Sequence, residues 1–249
     1  ITVFVGGDIP INSNSFFVGQ KVKAPPPAPE NISISPQGWT ADNNFTIQWD
    51  KIDWIYDMSG AWLKFDGDSD PHYFSLSNNN ELKEISMPEN GEFTIKVWLE
   101  DEFQQSDEAN SAEVVARWDD TPPEDFELLN PKDGSWMGIE DQPSPGHAGT
   151  IVFSWQHNTD NASGIALFKL NIVGYGDWEI NPYPRGADPD VHDFQLGNLT
   201  SNSLPEGEFV WFVETVDSTG NVKKSDERTF NVDLVPPNLS HSPVTVATL

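Results

Sequence analysis

The groups best able to do chemistry in this sequence are its carboxylates. Forty Asp and Glu stand against 13 Lys and Arg, for a formal net charge of −27 at pH 7. With no cysteine and only five scattered histidines, the chain offers clusters of oxygen donors, which suit a hard divalent cation such as calcium. Four positions carry that expectation. Asp119 and Asp120 stand together in DDTPP, Asp101 ends the run GEFTIKVWLED beside Glu100, and Asp217 opens a D-x-x-G-N turn. An ion shared by acids at one pole of a domain would remove their mutual repulsion and stiffen the chain there.

Other chemistry is poorly supplied. Asp66-Gly67-Asp68-Ser69-Asp70 begins like a calcium-binding EF-hand loop, but Pro71 replaces its sixth-position glycine and Ser77 stands where the bidentate glutamate belongs. It reads as an acidic connection between strands. The histidines, His72, His147, His157, His192 and His241, show no paired-ligand spacing, and no nucleophile elbow, phosphate loop or dinucleotide motif is present. The sequence therefore reads as non-enzymatic.

Ten Trp and four Tyr raise the question of sugar stacking. YGDWEINPYPRG, residues 175–186, reads as a loop in which Tyr175, Trp178 and Tyr183 could face a glycan. Trp49, Trp155 and Trp211 alternate with other apolar residues and are expected to face a core. Trp54, Trp62, Trp98 and Trp118 join Trp178 as candidates for exposure.

What would position these residues is a repeat. PENGEFTIKVWLED, residues 88–101, returns as PEGEFVWFVETVDSTGN, residues 205–221. Phe93, Ile95, Val97 and Leu99 alternate with polar residues, and Phe209, Trp211, Val213 and Thr215 keep the same register. This period of two marks a strand with one face in a core. FTIQW at 45–49 is answered by IVFSW at 151–155, and SGAWLKF at 59–65 by SGIALFKLNIV at 163–173. Pro122-Pro123 and Pro236-Pro237 punctuate the units at a spacing close to that of an immunoglobulin-sized sandwich. No helical periodicity holds over three turns, so the chain is expected to be all-β. Residues 1–23 form an N-terminal extended segment, 24–120 a first domain, 121–235 a second, and 236–249 the start of another or a tail.

The order S-x-x-GWT-x-x-x-F-x-I-x-W, SG, GE[FY]-x-h-x-V-x-h-x-D-x-x-GN and D-x-x-PP, where h is a hydrophobic residue, resembles tandem bacterial immunoglobulin-like or fibronectin type III-like domains of large secreted or surface-anchored proteins. The match runs through Ser35 to Trp49, Ser59-Gly60, Gly91 to Asp101 and Asp119 to Pro123, then Ile151 to Trp155, Ser163-Gly164, Gly207 to Asn221 and Asp233 to Pro237. The first copy departs from the pattern at Glu102-Phe103-Gln104-Gln105, where the second has Ser218-Thr219-Gly220-Asn221. The resemblance implies two tandem β-sandwiches and an extracellular or cell-surface setting.

The expected role is that of a modular spacer or adhesion stalk, stiffened by calcium. Its partners would be other domains of the same large protein, with surface glycans or protein receptors beyond them. Two alternatives stand beside it: a carbohydrate-binding accessory of a polysaccharide-degrading protein, and a filament subunit whose residues 1–18 complete a neighbour's sheet. The acidic balance rules against nucleic acid, which needs a basic surface. No run of 18 apolar residues suggests insertion in a membrane. The lack of a basic leader before Ile1 to Val5 makes the chain read as a processed or excised piece with its export signal elsewhere.

Overall fold

The computed structural model describes residues 24–76, 80–138, 151–183, 190–196 and 204–233. The N-terminal segment 1–23 and the stretch 236–249 lie outside them. The described residues are strands joined by turns, with one 3-10 turn at Glu108–Asn110. By compactness the chain divides into two units, residues 1–35, 46–84 and 94–115, and residues 36–45, 85–93 and 116–249.

Strands β1 (Ser33–Ser35), β3 (Phe45–Gln48) and β6 (Glu81–Ile85) form one sheet in the order β1-β3-β6. A second sheet runs β2-β8-β7-β4-β5, from β2 (Trp39–Thr40), β4 (Met58–Phe65), β5 (His72–Ser75), β7 (Gly91–Asp101) and β8 (Ala112–Trp118). The period-two reading of β7 holds: Phe93, Ile95, Val97 and Leu99 are buried, together with Ala61 and Leu63 of β4 and Phe45, Ile47 and Trp49 at β3.

The later strands repeat this plan. β9 (Leu128–Asn130), β11 (Ile151–Gln156) and β14 (Val191–Leu196) make a sheet ordered β14-β11-β9. β10 (Ser135–Gly138), β12 (Ile165–Ile172), β13 (Gly176–Ile180), β15 (Gly207–Asp217) and β17 (Arg228–Asp233) make another, ordered β10-β17-β15-β12-β13, with β16 (Val222–Lys224) paired to β15. Their core gathers Phe153, Trp155, Phe168, Leu170, Trp211, Val213 and Phe230. Burial of each such side chain contributes on the order of 1.5–3 kcal/mol. Thr215 holds an inward position where the first repeat has Leu99, and its hydroxyl donates to Asn158 Oδ1 at 3.2 Å, so the buried oxygen is satisfied.

Three expectations change. Residues 176–180 are strand β13 rather than loop, because Trp178 and Ile180 alternate with Asp177 and Glu179 and pair with β12. Trp98, a candidate for exposure, is buried, while Trp136 of β10 is 66 % exposed. The match of Ser59-Gly60 to Ser163-Gly164 slips by three residues. Met58 pairs with Asp101 as Ile165 pairs with Asp217, which makes Tyr56-Asp57 the counterpart of Ser163-Gly164.

Gly60 therefore has its own reason to be glycine. It lies inside β4 on the face opposite Ala61 and Leu63, where the Tyr73 ring crosses it so closely that a Cβ would come within 2.3–2.4 Å of ring atoms. Tyr73 meets Trp62 edge-on at 5.1 Å, and Trp62 lies parallel to Trp98 at 6.4 Å. Gly60→Ala should displace the partly exposed Tyr73 ring from this cluster and cost about 1 kcal/mol, the low end for overpacking because the ring can swing toward solvent, read as a lower urea midpoint at unchanged m-value.

A second packing feature titrates. His192 of β14 is buried between Trp155, stacked at 5.9 Å, and Phe168 at 4.3 Å, and its Nε2 sits 2.7 Å from His157 Nδ1. One nitrogen donates and the other accepts, so at least one ring is neutral. Burial, then the charge of His157, lowers the His192 pKa from 6.5 to about 4. The unfolded chain thus binds the extra proton between those values, so this stability is complete above about pH 6.5 and is lost as pH falls toward 4. Thermal melts should show the wild type losing up to about 3 kcal/mol more across that window than His192→Phe, which leaves no buried imidazole to charge.

Candidate metal centre

The candidate site lies wholly in the second compact unit and is made by three turns. β15 ends at Asp217, whose carboxylate folds the following residues onto itself. Its Oδ1 accepts from Thr219 N at 2.8 Å, Thr219 Oγ1 at 2.8 Å and Asn221 N at 2.9 Å. Gly220 supplies the φ of +92° that closes the turn. Asp160 organises the approach to β12 in the same way, its Oδ1 accepting from Ala162 N at 3.1 Å and Gly164 N at 2.8 Å. Asp119 follows β8. Its Oδ1 accepts from Thr121 N at 3.1 Å and Thr121 Oγ1 at 2.9 Å, and its Oδ2 from Ser163 N at 3.1 Å.

Asn221 ties the turns together. Its Nδ2 lies 2.8 Å from Asp217 Oδ2, 3.1 Å from the Asp119 carbonyl and 3.3 Å from the Thr121 carbonyl. The segment after β8 is held from the other side by Asp119 N donating to Thr40 O at 2.9 Å, and by Asn90 Nδ2 donating to Asp120 Oδ1 at 3.0 Å.

The outcome is a set of three carboxylates, Asp119, Asp160 and Asp217, each with an oxygen within 4.8 Å of the others. Asp119 is fully buried, Asp217 nearly so, and Asp160 half-buried. Among the described residues no lysine, arginine or histidine makes an ion pair with any of them. Burial pushes the Asp119 pKa up, but the donors from Ser163 and Thr121 outweigh it and hold the group below the ordinary Asp value, so it stays charged. The Ser163 hydroxyl is buried beside that carboxylate. Two charges at this separation repel by about 3 kcal/mol at an effective dielectric of 20. An all-oxygen donor set of this charge fits Ca²⁺ or Mg²⁺ and gives a soft or imidazole-seeking metal nothing to hold.

Of the four acids named from sequence, Asp119 and Asp217 meet here. Asp120 is exposed at the rim and bonded to Asn90, whereas Asp101 belongs to the other compact unit. Asp160 is the member that sequence reasoning missed. Asp160, Asp217 and Asp101 all use Oδ1 to accept the N–H groups at i+2 and i+4, a turn common to many acids that does not single out Asp160 in the sequence. In the 66–70 stretch, Asp66 Oδ2 accepts from Thr94 N at 3.3 Å and Asp68 Oδ2 pairs with His72 at 3.0 Å, as befits a strand connection. Of the aromatic residues considered for sugar contact, Tyr175 and Tyr183 are exposed. Trp178 packs on the second core, 5.8 Å from Phe194.

No protein-family model matches the chain, and no curated protein does. Among solved structures it is similar to the fibronectin(III)-like modules of Clostridium thermocellum CbhA, at 13 % identity and a TM-score of 0.35, covering 84 % of this chain and 97 % of that one. It is also similar to the FN1–FN3 domains of chicken CNTN1, at 16 % identity and a TM-score of 0.33, covering 83 % and 67 % of the two chains. The repeated three-stranded sheet with a larger partner sheet makes this an all-β protein of β-sandwich repeats.

Asp217→Ala removes the acceptor of four donors, Thr219 N and Oγ1 and Asn221 N and Nδ2, and leaves part-buried N–H groups unpaired. It should cost about 2–4 kcal/mol, checked by chemical denaturation in the absence of divalent cations. Glu206→Ala, at the exposed turn before β15, is the reference substitution.

Proposed function

We propose that this chain is a non-catalytic spacer segment of a larger extracellular or surface protein, and that calcium held by Asp119, Asp160 and Asp217 fixes the segment leaving β8 onto the turns that precede β12 and follow β15. The observation that carries this reading is the set of three carboxylates, two of them buried, with no ion pair to a cationic side chain among the described residues. Without an ion, their repulsion favours drawing Asp119 away from the other two. With one, the attraction runs the other way, and the linker DDTPP becomes a fixed joint instead of a hinge. Pro122 and Pro123 then limit bending of the next residues. A spacer needs that stiffness, because its work is to hold what it carries at a set distance.

The test is thermal melting with EDTA or millimolar Ca²⁺, on the wild type and on Asp160→Asn. Asparagine can still accept the Ala162 and Gly164 N–H groups through Oδ1 but removes one charge. Calcium at 100 times its Kd should stabilise the wild type by about 2.7 kcal/mol. Asp160→Asn should gain much less from calcium, while in EDTA it should melt no lower than the wild type because one repulsion is gone. An unchanged wild-type melt, or an equal calcium gain in both proteins, would overturn the proposal.

A further inference from the structure

The two long strands of the repeats end in the same device but in different surroundings. β7 and β15 are both 11 residues long and end at Asp101 and Asp217. Asp101 Oδ1 accepts from Phe103 N at 2.9 Å and Gln105 N at 3.1 Å, as Asp217 Oδ1 does from Thr219 and Asn221. The strand register above makes Tyr56 the counterpart of Ser163, Phe103 of Thr219 and Gln105 of Asn221.

The entering segment can be aligned in the same way. Asp50 N donates to Glu30 O at 2.9 Å and Gln156 N to Glu127 O at 2.9 Å, so Glu30 answers Glu127. Counting back, Pro25-Pro26 answer Pro122-Pro123, and Val22 answers Asp119. Val22 lies just before the described residues, which open at Ala24. Where the second repeat has Asp119, Ser163 and Thr219, the first thus has Val22, Tyr56 and Phe103, apolar or aromatic side chains for small polar ones, while Asp53 and Asp101 stand where Asp160 and Asp217 do.

The receiving surface carries the same message. Phe103 is 48 % exposed, and Ile55, next to Tyr56, is 69 % exposed. Tyr56 and Phe103 meet edge to face at 5.1 Å. Asp101 is fully buried and its Oδ2 has no hydrogen-bond partner among the described residues, whereas Asp217 Oδ2 takes Asn221 Nδ2. Lys21 and Lys23 flank Val22, two of only 13 basic residues in the chain. They would bring positive charge to a pole that holds Asp53, Asp57, Asp101 and Glu102 against the one lysine beside them among the described residues, Lys51.

We propose that the segment Lys21-Val22-Lys23 docks on this pole, with Val22 packed on Ile55, Tyr56 and Phe103, as an apolar joint in the place where the second repeat sets its carboxylates. The joint does not depend on calcium, so it stands or falls separately from the metal reading.

Because the chain has no cysteine, the full-length Val22→Cys/Phe103→Cys variant tests it directly under mild oxidation. The expected product is a monomer that has lost both thiols and about 2 Da, since a disulfide needs Cα atoms within about 7 Å. A folded monomer that keeps two free thiols overturns the proposal. A disulfide-linked dimer overturns it too, because the patch would then receive a second copy. Should the double variant not fold, hydrogen exchange on Val22→Asp decides: exchange at Phe103 to Gln105 at least tenfold faster than in wild type supports the joint, and unchanged exchange overturns it.

Discussion

Each repeat hangs on one buried aspartate at the end of its longest strand. β7 and β15 are paired on both sides, so their last residues cannot shift without disturbing a whole sheet. An aspartate there has a fixed origin from which its carboxylate can reach forward to the N–H groups two and four residues on. Those donors would otherwise be stranded at the point where the chain leaves the sheet. The side chain therefore replaces a length of missing ladder, and the turn it makes becomes as well located as the strand. That is what allows a loop, ordinarily the least fixed part of a β-sandwich, to hold other groups at set distances.

From this anchor the two repeats diverge. In the second, the turn is small and polar, with Thr219 and Gly220 leaving room for Asn221 to reach the carbonyls of Asp119 and Thr121. In the first, Phe103 and Gln104 replace them, and Gln104 takes a φ of +60° where the second repeat uses glycine. The backbone path is kept while the side chains change. A common scaffold can thus present charge at one pole and apolar surface at another.

Much of the fold was legible because the signals were local. Phe93 to Leu99 and Phe209 to Thr215 alternate cleanly, and Trp49, Trp155 and Trp211 occupy the inward positions that alternation assigned them. β13 was hidden because only Trp178 and Ile180 alternate there, amid Gly, Asp, Asn and Pro that read as loop. Pairing of Ser59-Gly60 with Ser163-Gly164 failed because identical letters outweighed register, which only the partner strand fixes. Asp160 escaped notice for a related reason. Its role depends on Asp119 and Asp217, 41 residues before it and 57 after it, and nothing within its own loop sets it apart from other turn-forming acids.

The short strands β2 and β10 each run parallel to the last long strand of their repeat, β8 and β17. An entering strand laid parallel to a leaving one is pulled lengthwise against it when the two ends of a repeat are drawn apart. Their ladder bonds are then loaded together in shear, not opened one at a time as in a zipper. β10 has four residues in register with β17, and β2 only two with β8. The second repeat thus sets more ladder bonds across this pair against a lengthwise pull than the first.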